Sequence, residues 1–139
     1  MAIDDLNKTL MISAAGMRAQ SVRMRVIAEN LANAETVGLK PGDDPYRRKV
    51  VTFASELDRA TGTDTVTVKG VTRDQSDFGT RYEPGHPAAD ANGYVRTPNV
   101  NMLVEVSDMR QAQRSYEANL NVVDSARSML MRTIDLLRG

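Results

Sequence analysis

The sequence predicts a mainly α fold with a small β part, in which long N- and C-terminal helices pair as a coiled-coil-like hairpin. Two observations predict it. All five prolines and seven of the nine glycines lie from Gly38 to Pro98, so both ends are nearly free of helix breakers. In both ends, apolar residues recur every seven positions, the period of paired helices. The 139 residues therefore divide into a helix within 1–39, an irregular or β-hairpin middle at 40–99 and a helix within 100–139.

The first segment predicts a helix of about 33 residues, roughly 50 Å long at the helical rise per residue. Asp4 and Asp5 stand where acidic side chains favour a helix N-terminus. Gly38 follows the last periodic residue and is the expected stop, with Pro41 just beyond it. The apolar stripe expected to form one side of the helix seam consists of Ile3, Leu10, Met17, Met24 and Leu31.

The last segment repeats the seven-residue pattern more strongly. Ala112 and Ala126 share the apolar face, and either Asn99 or Asn101 is expected to cap the start of the helix. Tyr116 is the largest side chain on this face. The stripe expected to pack against the first helix and to take part in assembly consists of Met102, Met109, Tyr116, Val123, Leu130 and Leu137.

The middle segment is rich in turn signals and β-branched residues. Tyr46–Phe53 and Thr65–Thr72 predict strands, and Ala54–Arg59 predicts a helical turn. Asn92-Gly93 predicts a tight turn before a further short strand. So few strands predict a small hairpin or sheet.

Composition excludes several classes of function. The 18 basic and 18 acidic residues balance, which argues against a binder of nucleic acid working by bulk charge. With no cysteine and one histidine, a thiolate site, a disulfide or a two-histidine metal site cannot form within one chain. The first residues are acidic where a secretory signal is basic. We therefore predict no catalytic residues, no metal, no cofactor and no small-molecule substrate.

Two other functions remain open from the residues alone. One is a small carbohydrate-binding or enzymatic module with a pocket in the Tyr82–Tyr94 loop, formed by Tyr82, His86, Asp90 and Tyr94. A histidine between glycine and proline is nevertheless more typical of a turn than of a catalytic site. The other is a helical component of a different secretion machine, or a coiled-coil adaptor.

Three groups of residues carry a resemblance to a known family. Within Glu29–Thr36, the residues Asn30, Leu31, Ala32, Asn33 and Ala34 resemble the Ala/Asn-rich signature of the bacterial flagellar axial proteins, the rod, hook and hook-associated family. Pro45, Tyr46, Arg47 and Arg48 form the second group, and a third lies in the segment 82–101; both resemble the proximal rod members of that family. One departure is Leu39, where the family pattern has an aromatic residue.

The resemblance implies a structural subunit of the proximal rod in the flagellar basal body. The terminal helices would form an inner domain that stacks into a helical tube around the export channel, and the tube would transmit torque across the periplasm. The chain would be exported through the flagellar type III export apparatus without a cleaved signal. Its partners would be other copies, the rod proteins FlgB, FlgF and FlgG, and the adaptor FliE. The segment expected to contact neighbouring subunits contains Tyr82, Pro84, Gly85, His86, Pro87, Asp90, Gly93, Tyr94, Pro98, Asn99 and Asn101.

Overall fold

The computed structural model describes residues 2–139 and confirms the predicted fold class. The elements in chain order are α1 (Ala2–Ala32), β1 (Lys49–Asp58), β2 (Thr63–Arg73), β3 (Gly79–Tyr82), β4 (Tyr94–Thr97) and α2 (Met102–Arg138). β1 and β2 form one two-stranded sheet, and β3 pairs antiparallel with β4 in another. Within residues 2–139, no helix is both long enough and apolar enough to cross a membrane.

The chain forms two compact units, and each contains residues from all three predicted segments. One unit consists of residues up to 24, 52–70 and 110–139, and the other of residues 25–51 and 71–109. Both terminal helices therefore contribute to both units.

In the first unit, small side chains let α1 and α2 approach closely. A Cβ atom added at Gly16 would lie 2.8 Å from Nδ2 of Asn119. Further along, Arg23 Nη2 donates a hydrogen bond to Gln111 Oε1 at 3.0 Å. The buried positions of this unit's two helices are Ser13, Ala15, Gly16, Ala19, Ala112 and Ala126. Ala112 and Ala126 are thus buried, as their place on the predicted face requires.

The residues predicted to form the helix seam lie at different depths in the single chain. Ile3, Met102 and Leu137 are exposed. The half-buried members are Leu10, Met17, Met24, Leu31, Met109, Tyr116, Val123 and Leu130. The fully buried side chains in the helices are mostly small. The larger side chains of the seam remain partly accessible to solvent.

The predicted stop of α1 at Gly38 is wrong, because the helix ends at Ala32. Asn33 donates two hydrogen bonds to the carbonyl of Glu29, from its backbone at 3.1 Å and from Nδ2 at 2.9 Å. The Thr36 N–H then donates to the Asn33 carbonyl at 3.0 Å and turns the chain. Gly38 lacks the positive φ of a helix-terminating glycine. The Asn33 side chain, not a glycine, thus ends the helix.

The start of α2 follows one of the two predicted caps. Asn101 Oδ1 accepts hydrogen bonds from the N–H groups of Leu103 at 3.1 Å and Val104 at 3.3 Å. These are donors that a helix leaves unpaired in its first turn. Asn101 is therefore the cap, and Asn99 has a different role, described below.

The predicted helical turn at Ala54–Arg59 is also wrong, because β1 remains extended to Asp58. The chain reverses only after that residue, where Asp58 Oδ1 accepts a hydrogen bond from the Ala60 N–H at 2.9 Å and Gly62 adopts a φ of 67°. The turn predicted at Asn92-Gly93 is confirmed, with Gly93 at a φ of 86° directly before β4.

Candidate functional site: a buried polar network

The side chain of Asn30 is the centre of a polar network in the second unit, and it is 1% exposed. Its Oδ1 accepts hydrogen bonds from the Tyr46 hydroxyl at 2.8 Å and the Lys49 N–H at 2.9 Å. Its Nδ2 donates to the Lys49 carbonyl at 2.9 Å and to Glu105 Oε2 at 3.3 Å. These four bonds use the full capacity of an amide side chain, so burial leaves no polar atom of Asn30 unpaired.

Glu105 brings a carboxylate into the interior beside Asn30, with no solvent exposure. It lies in the first turn of α2, where the helix dipole favours a negative charge. Its Oε1 accepts a hydrogen bond from Nε of Arg48. Since an unpaired buried charge is strongly unfavourable, Arg48 is what makes the burial of Glu105 possible.

Arg48 pairs with further carboxylates besides Glu105. Its Nη1 lies 3.3 Å from Asp74 Oδ2, and its Nη2 lies 3.7 Å from Asp108 Oδ2. Burial lowers the pKa of Arg48, but its hydrogen bonds and charge attraction to Glu105 and Asp74 outweigh this effect and raise the pKa. The guanidinium therefore stays charged, and the network joins α2 to the strand region.

Asn99 extends the network to the segment that follows β2. Its Oδ1 accepts a hydrogen bond from the Arg48 N–H at 2.7 Å. Its Nδ2 donates to the carbonyls of Asp74 at 3.0 Å and Ser76 at 3.2 Å. Asn99 thus serves as a bridge between two loops rather than as a helix cap.

Arg47 fixes the same segment from another side. Its Nη1 donates to the carbonyls of Asp74 at 2.9 Å and Ser76 at 3.1 Å. The guanidinium carbon lies 4.2 Å from the ring centre of Phe78, close enough for a cation–π interaction. Pro45, two residues earlier, is buried.

The Tyr82–Tyr94 loop uses its polar side chains to hold its own shape. Asp90 Oδ1 accepts hydrogen bonds from the N–H groups of Asn92 and Tyr94, each at 2.9 Å. His86 Nδ1 accepts one from the Ala88 N–H at 2.9 Å. Tyr82 and Tyr94 form an edge-on ring pair with centres 5.2 Å apart, and both remain exposed. The geometry therefore favours a rigid surface loop over the pocket of an enzyme or carbohydrate-binding module.

The structure brings together residues that the sequence placed in separate motifs. Asn30, Tyr46, Arg48 and Asn99 all belong to one network. Sequence reasoning missed Glu105, whose apolar neighbours in the run at 102–106 are exposed, so nothing local to the run signals its burial. Among the described residues, no group of three or more histidine or acidic side chains is arranged to hold a metal ion.

The remaining motif residues have local or surface positions. Leu31 is half-buried, Ala32 is exposed and Ala34 is buried. In the loop region, Pro84, Gly85 and Pro87 are exposed, Pro98 is buried and Asn101 caps α2. The departure at Leu39 stands on the surface, where its side chain is exposed.

Comparisons with known proteins place similarity along nearly the whole chain. The family described as "Flagella basal body rod protein" matches residues 10–40, and "Flagellar basal body rod FlgEFG protein C-terminal" matches residues 91–136. The flagellar basal-body rod protein FlgC of Agrobacterium fabrum is 51% identical over 137 residues, 99% of each chain. FlgC of Salmonella typhimurium is 42% identical over 125 residues, 90% of this chain and 92% of that one. FlgC of Bacillus subtilis is 38% identical over 143 residues, 92% of this chain and 95% of that one.

Proposed function

The chain belongs to the FlgC family of flagellar basal-body rod proteins, and on that premise we propose that it is a structural subunit of the proximal rod. The observation that carries this proposal is the 51% identity to a rod protein across 99% of both chains. In the proposed role, many subunits form a helical tube that transmits torque and surrounds the export channel. The chain does no catalysis and needs no cofactor.

The apolar side chains exposed along α2 support an assembly function. Monomeric proteins rarely leave large apolar patches in water, and such patches mark interaction surfaces. The larger apolar side chains exposed on α2 are Met102, Leu103, Val104, Val106, Leu120, Val122, Met129, Met131, Ile134, Leu136 and Leu137. Neighbouring subunits in the rod would cover these side chains.

We propose the following division of labour along the chain. Segments 1–39 and 100–139 form the inner domain of the tube, and segment 40–99 carries the loop that meets a neighbouring subunit. The rigidity of the Tyr82–Tyr94 loop supports that role, because a surface ordered before contact loses less entropy on binding. The buried network includes Asn99, between β4 and α2, and Glu105 in the first turn of α2, and so fixes the end of β4 and the start of α2.

The proposed neighbours are other copies of the chain, the rod proteins FlgB, FlgF and FlgG, and the adaptor FliE. The proposed location is the rod across the periplasm, reached through the flagellar type III export apparatus without removal of a signal peptide. The equal numbers of acidic and basic residues, 18 of each, support dense packing, since strongly charged subunits would repel one another.

Deletion of the gene and electron microscopy of the remaining basal bodies test the proposal. A rod subunit's loss should leave cells without external filaments, and purified basal bodies should stop at the base of the rod. The gene supplied on a plasmid should restore filaments and swimming. Normal filaments in the deletion strain would contradict the proposal, as would a stoichiometric cofactor in the purified chain.

A further inference from the structure

The apolar pattern of α1 and α2 does not by itself select one axial register between them. Both stripes repeat every seven residues, from Ile3 to Leu31 and from Met102 to Leu137. A shift of one helix by seven residues would place apolar side chains opposite apolar side chains again. In paired helices with such repeats, a single buried polar contact commonly specifies the register.

Facing residues show which register the chain adopts. Gly16 faces Asn119 and Arg23 faces Gln111 in the first unit, so a step forward along α1 matches a nearly equal step back along α2. In the second unit, Asn30 of α1 contacts Glu105 of α2.

Asn30 and Glu105 are the buried polar pair that joins the two helices. The buried polar residues among those described are Ser13, Asn30, Thr63 and Glu105, and the contact between Asn30 and Glu105 links two of them. Glu105 is also ion-paired with Arg48, and a buried ion pair is a weak source of stability, because apolar residues of similar volume are often as stable or more so. Breaking such a pair is nevertheless strongly unfavourable, and this asymmetry penalises every register except one.

We propose that the Asn30–Glu105 contact, held in place by Arg48, fixes the axial register of α1 against α2. Arg48 cannot follow a shifted Glu105, because the next residue, Lys49, is bound to the Asn30 side chain on α1 through its N–H and carbonyl, and the Arg48 guanidinium is bound to Asp74. A shift of seven residues would therefore leave the Glu105 carboxylate without Arg48 and the Asn30 amide without Glu105. Asn30 and Arg48 act as positioning residues for the helix pair.

Disulfide trapping in the purified full-length chain tests the register. The chain has no cysteine, so introduced cysteines supply its only thiols. Gly16→Cys with Asn119→Cys reports the native register. Gly16→Cys with either Ala112→Cys or Ala126→Cys, both combined with Asn119→Ala to make room, reports a shift of seven residues in either direction. Intramolecular disulfides are identified by peptide mass spectrometry.

When Asn30, Arg48 and Glu105 are unchanged, the yield of the native disulfide should exceed that of each shifted disulfide by more than about tenfold. The reason is that a shift separates a buried charge from its partner. Asn30→Leu with Glu105→Leu should raise the shifted disulfides to yields comparable with the native one. Glu105→Gln, which preserves the shape of the side chain, should give a smaller rise in the same direction. Ile27→Ala is the matched control, because it removes buried apolar contacts near Asn30 without touching the polar pair.

Three results would overturn the proposal. The first is a native-only disulfide pattern in both the Asn30→Leu/Glu105→Leu chain and the Glu105→Gln chain. The second is a shifted pattern in the Ile27→Ala chain equal to that of the polar variants. The third is that the cysteine variants with Asn30, Arg48 and Glu105 unchanged fail to form the native disulfide or form the shifted ones equally well. The measurement involves the single chain only, so rod assembly does not affect its outcome.

Discussion

Gly93 is the glycine of the Tyr82–Tyr94 loop that cannot be replaced without strain. Its φ is 86°, and an added Cβ would lie 2.9 Å from Tyr82 Cε2 and 3.1 Å from Pro84 Cβ. Gly93→Ala should therefore lower the free energy of unfolding by about 1–3 kcal/mol. Gly85 is the matched control, because it has no positive φ and no atom within 4 Å of an added Cβ. Urea denaturation of both variants checks this, and equal losses would contradict it.

Asp74 makes the network sensitive to acid. Hydrogen bonds from the Ser76 N–H and hydroxyl, and the nearby Arg48 guanidinium, lower the pKa of Asp74 below its usual 3.8. A carboxyl whose pKa is lower in the folded state stabilises the fold above its unfolded pKa and loses that contribution as the pH falls through the folded value. The free energy of unfolding of the parent chain should therefore decrease as the pH is lowered below about 4.

Asp74→Asn should reduce this fall in stability, because an amide has no proton to gain in this range. Its Oδ1 can still accept the hydrogen bond that the Ser76 N–H makes to Asp74 at 2.9 Å. Asp64→Asn, at an exposed carboxylate in β2, serves as the control and should keep the slope of the parent. Thermal melts from pH 3 to 6 measure the difference. An unchanged slope in Asp74→Asn would show that other carboxylates cause the acid sensitivity.

At the scale of elements, Gly16 controls how closely α1 approaches α2. A side chain at this position would displace Asn119, whose Nδ2 donates to the Ser115 carbonyl at 2.9 Å. Gly16→Val should lower the free energy of unfolding by about 1–3 kcal/mol through overpacking. Gly70→Val is the control, since an added Cβ there meets no atom within 4 Å and a strand accepts valine.

Removal of the Asn119 side chain should rescue the Gly16 variant. Asn119→Ala vacates the space that valine needs, so Gly16→Val should be less destabilising in that background than in the parent. A double-mutant cycle from denaturant melts measures the coupling. Additive effects of the two substitutions would mean that Asn119 does not limit the approach of the helices at Gly16.

The existence and type of both helices followed from sequence because their signals are local. The seven-residue repeat and the absence of proline and glycine act within each segment, and Asn101 caps from directly before α2. The predicted end of α1 was too late because the helix already ends before Asn33. The hydrogen bond from the Asn33 side chain to the Glu29 carbonyl could not be predicted from composition. β1 runs past Ala54 because its pairing with β2 overrides local preference.

The network could be predicted only in part for a related reason. Asn30, Arg48 and Asn99 were placed in separate motifs, but no local sequence pattern indicates that their side chains contact one another. Glu105 stands among apolar residues in a helix, where an acidic side chain usually faces water. Its burial depends on Arg48, 57 residues earlier in the chain, so the signal becomes visible only once the fold joins them.

At the scale of the whole molecule, substitutions at the exposed end of α2 should affect assembly without affecting folding. Leu136 and Leu137 are 82% and 75% exposed, so the single chain gains little from burying them. In the proposed rod, a neighbouring subunit covers them, and a charge there would have to enter an apolar contact. Leu136→Asp with Leu137→Asp should therefore leave the unfolding of the purified chain nearly unchanged and abolish swimming and filament formation in a complemented deletion strain.

Three comparison variants make the result specific to assembly. Leu136→Met keeps an apolar side chain of similar volume and should preserve swimming. Tyr116→Asp places a charge at a half-buried position, so it should impair both the stability of the purified chain and swimming. Arg114→Ala, at an exposed position in the same helix, should impair neither strongly. Normal swimming with both leucines replaced by aspartate would show that the last turn of α2 stays in water in the rod, and that subunits meet through a different face.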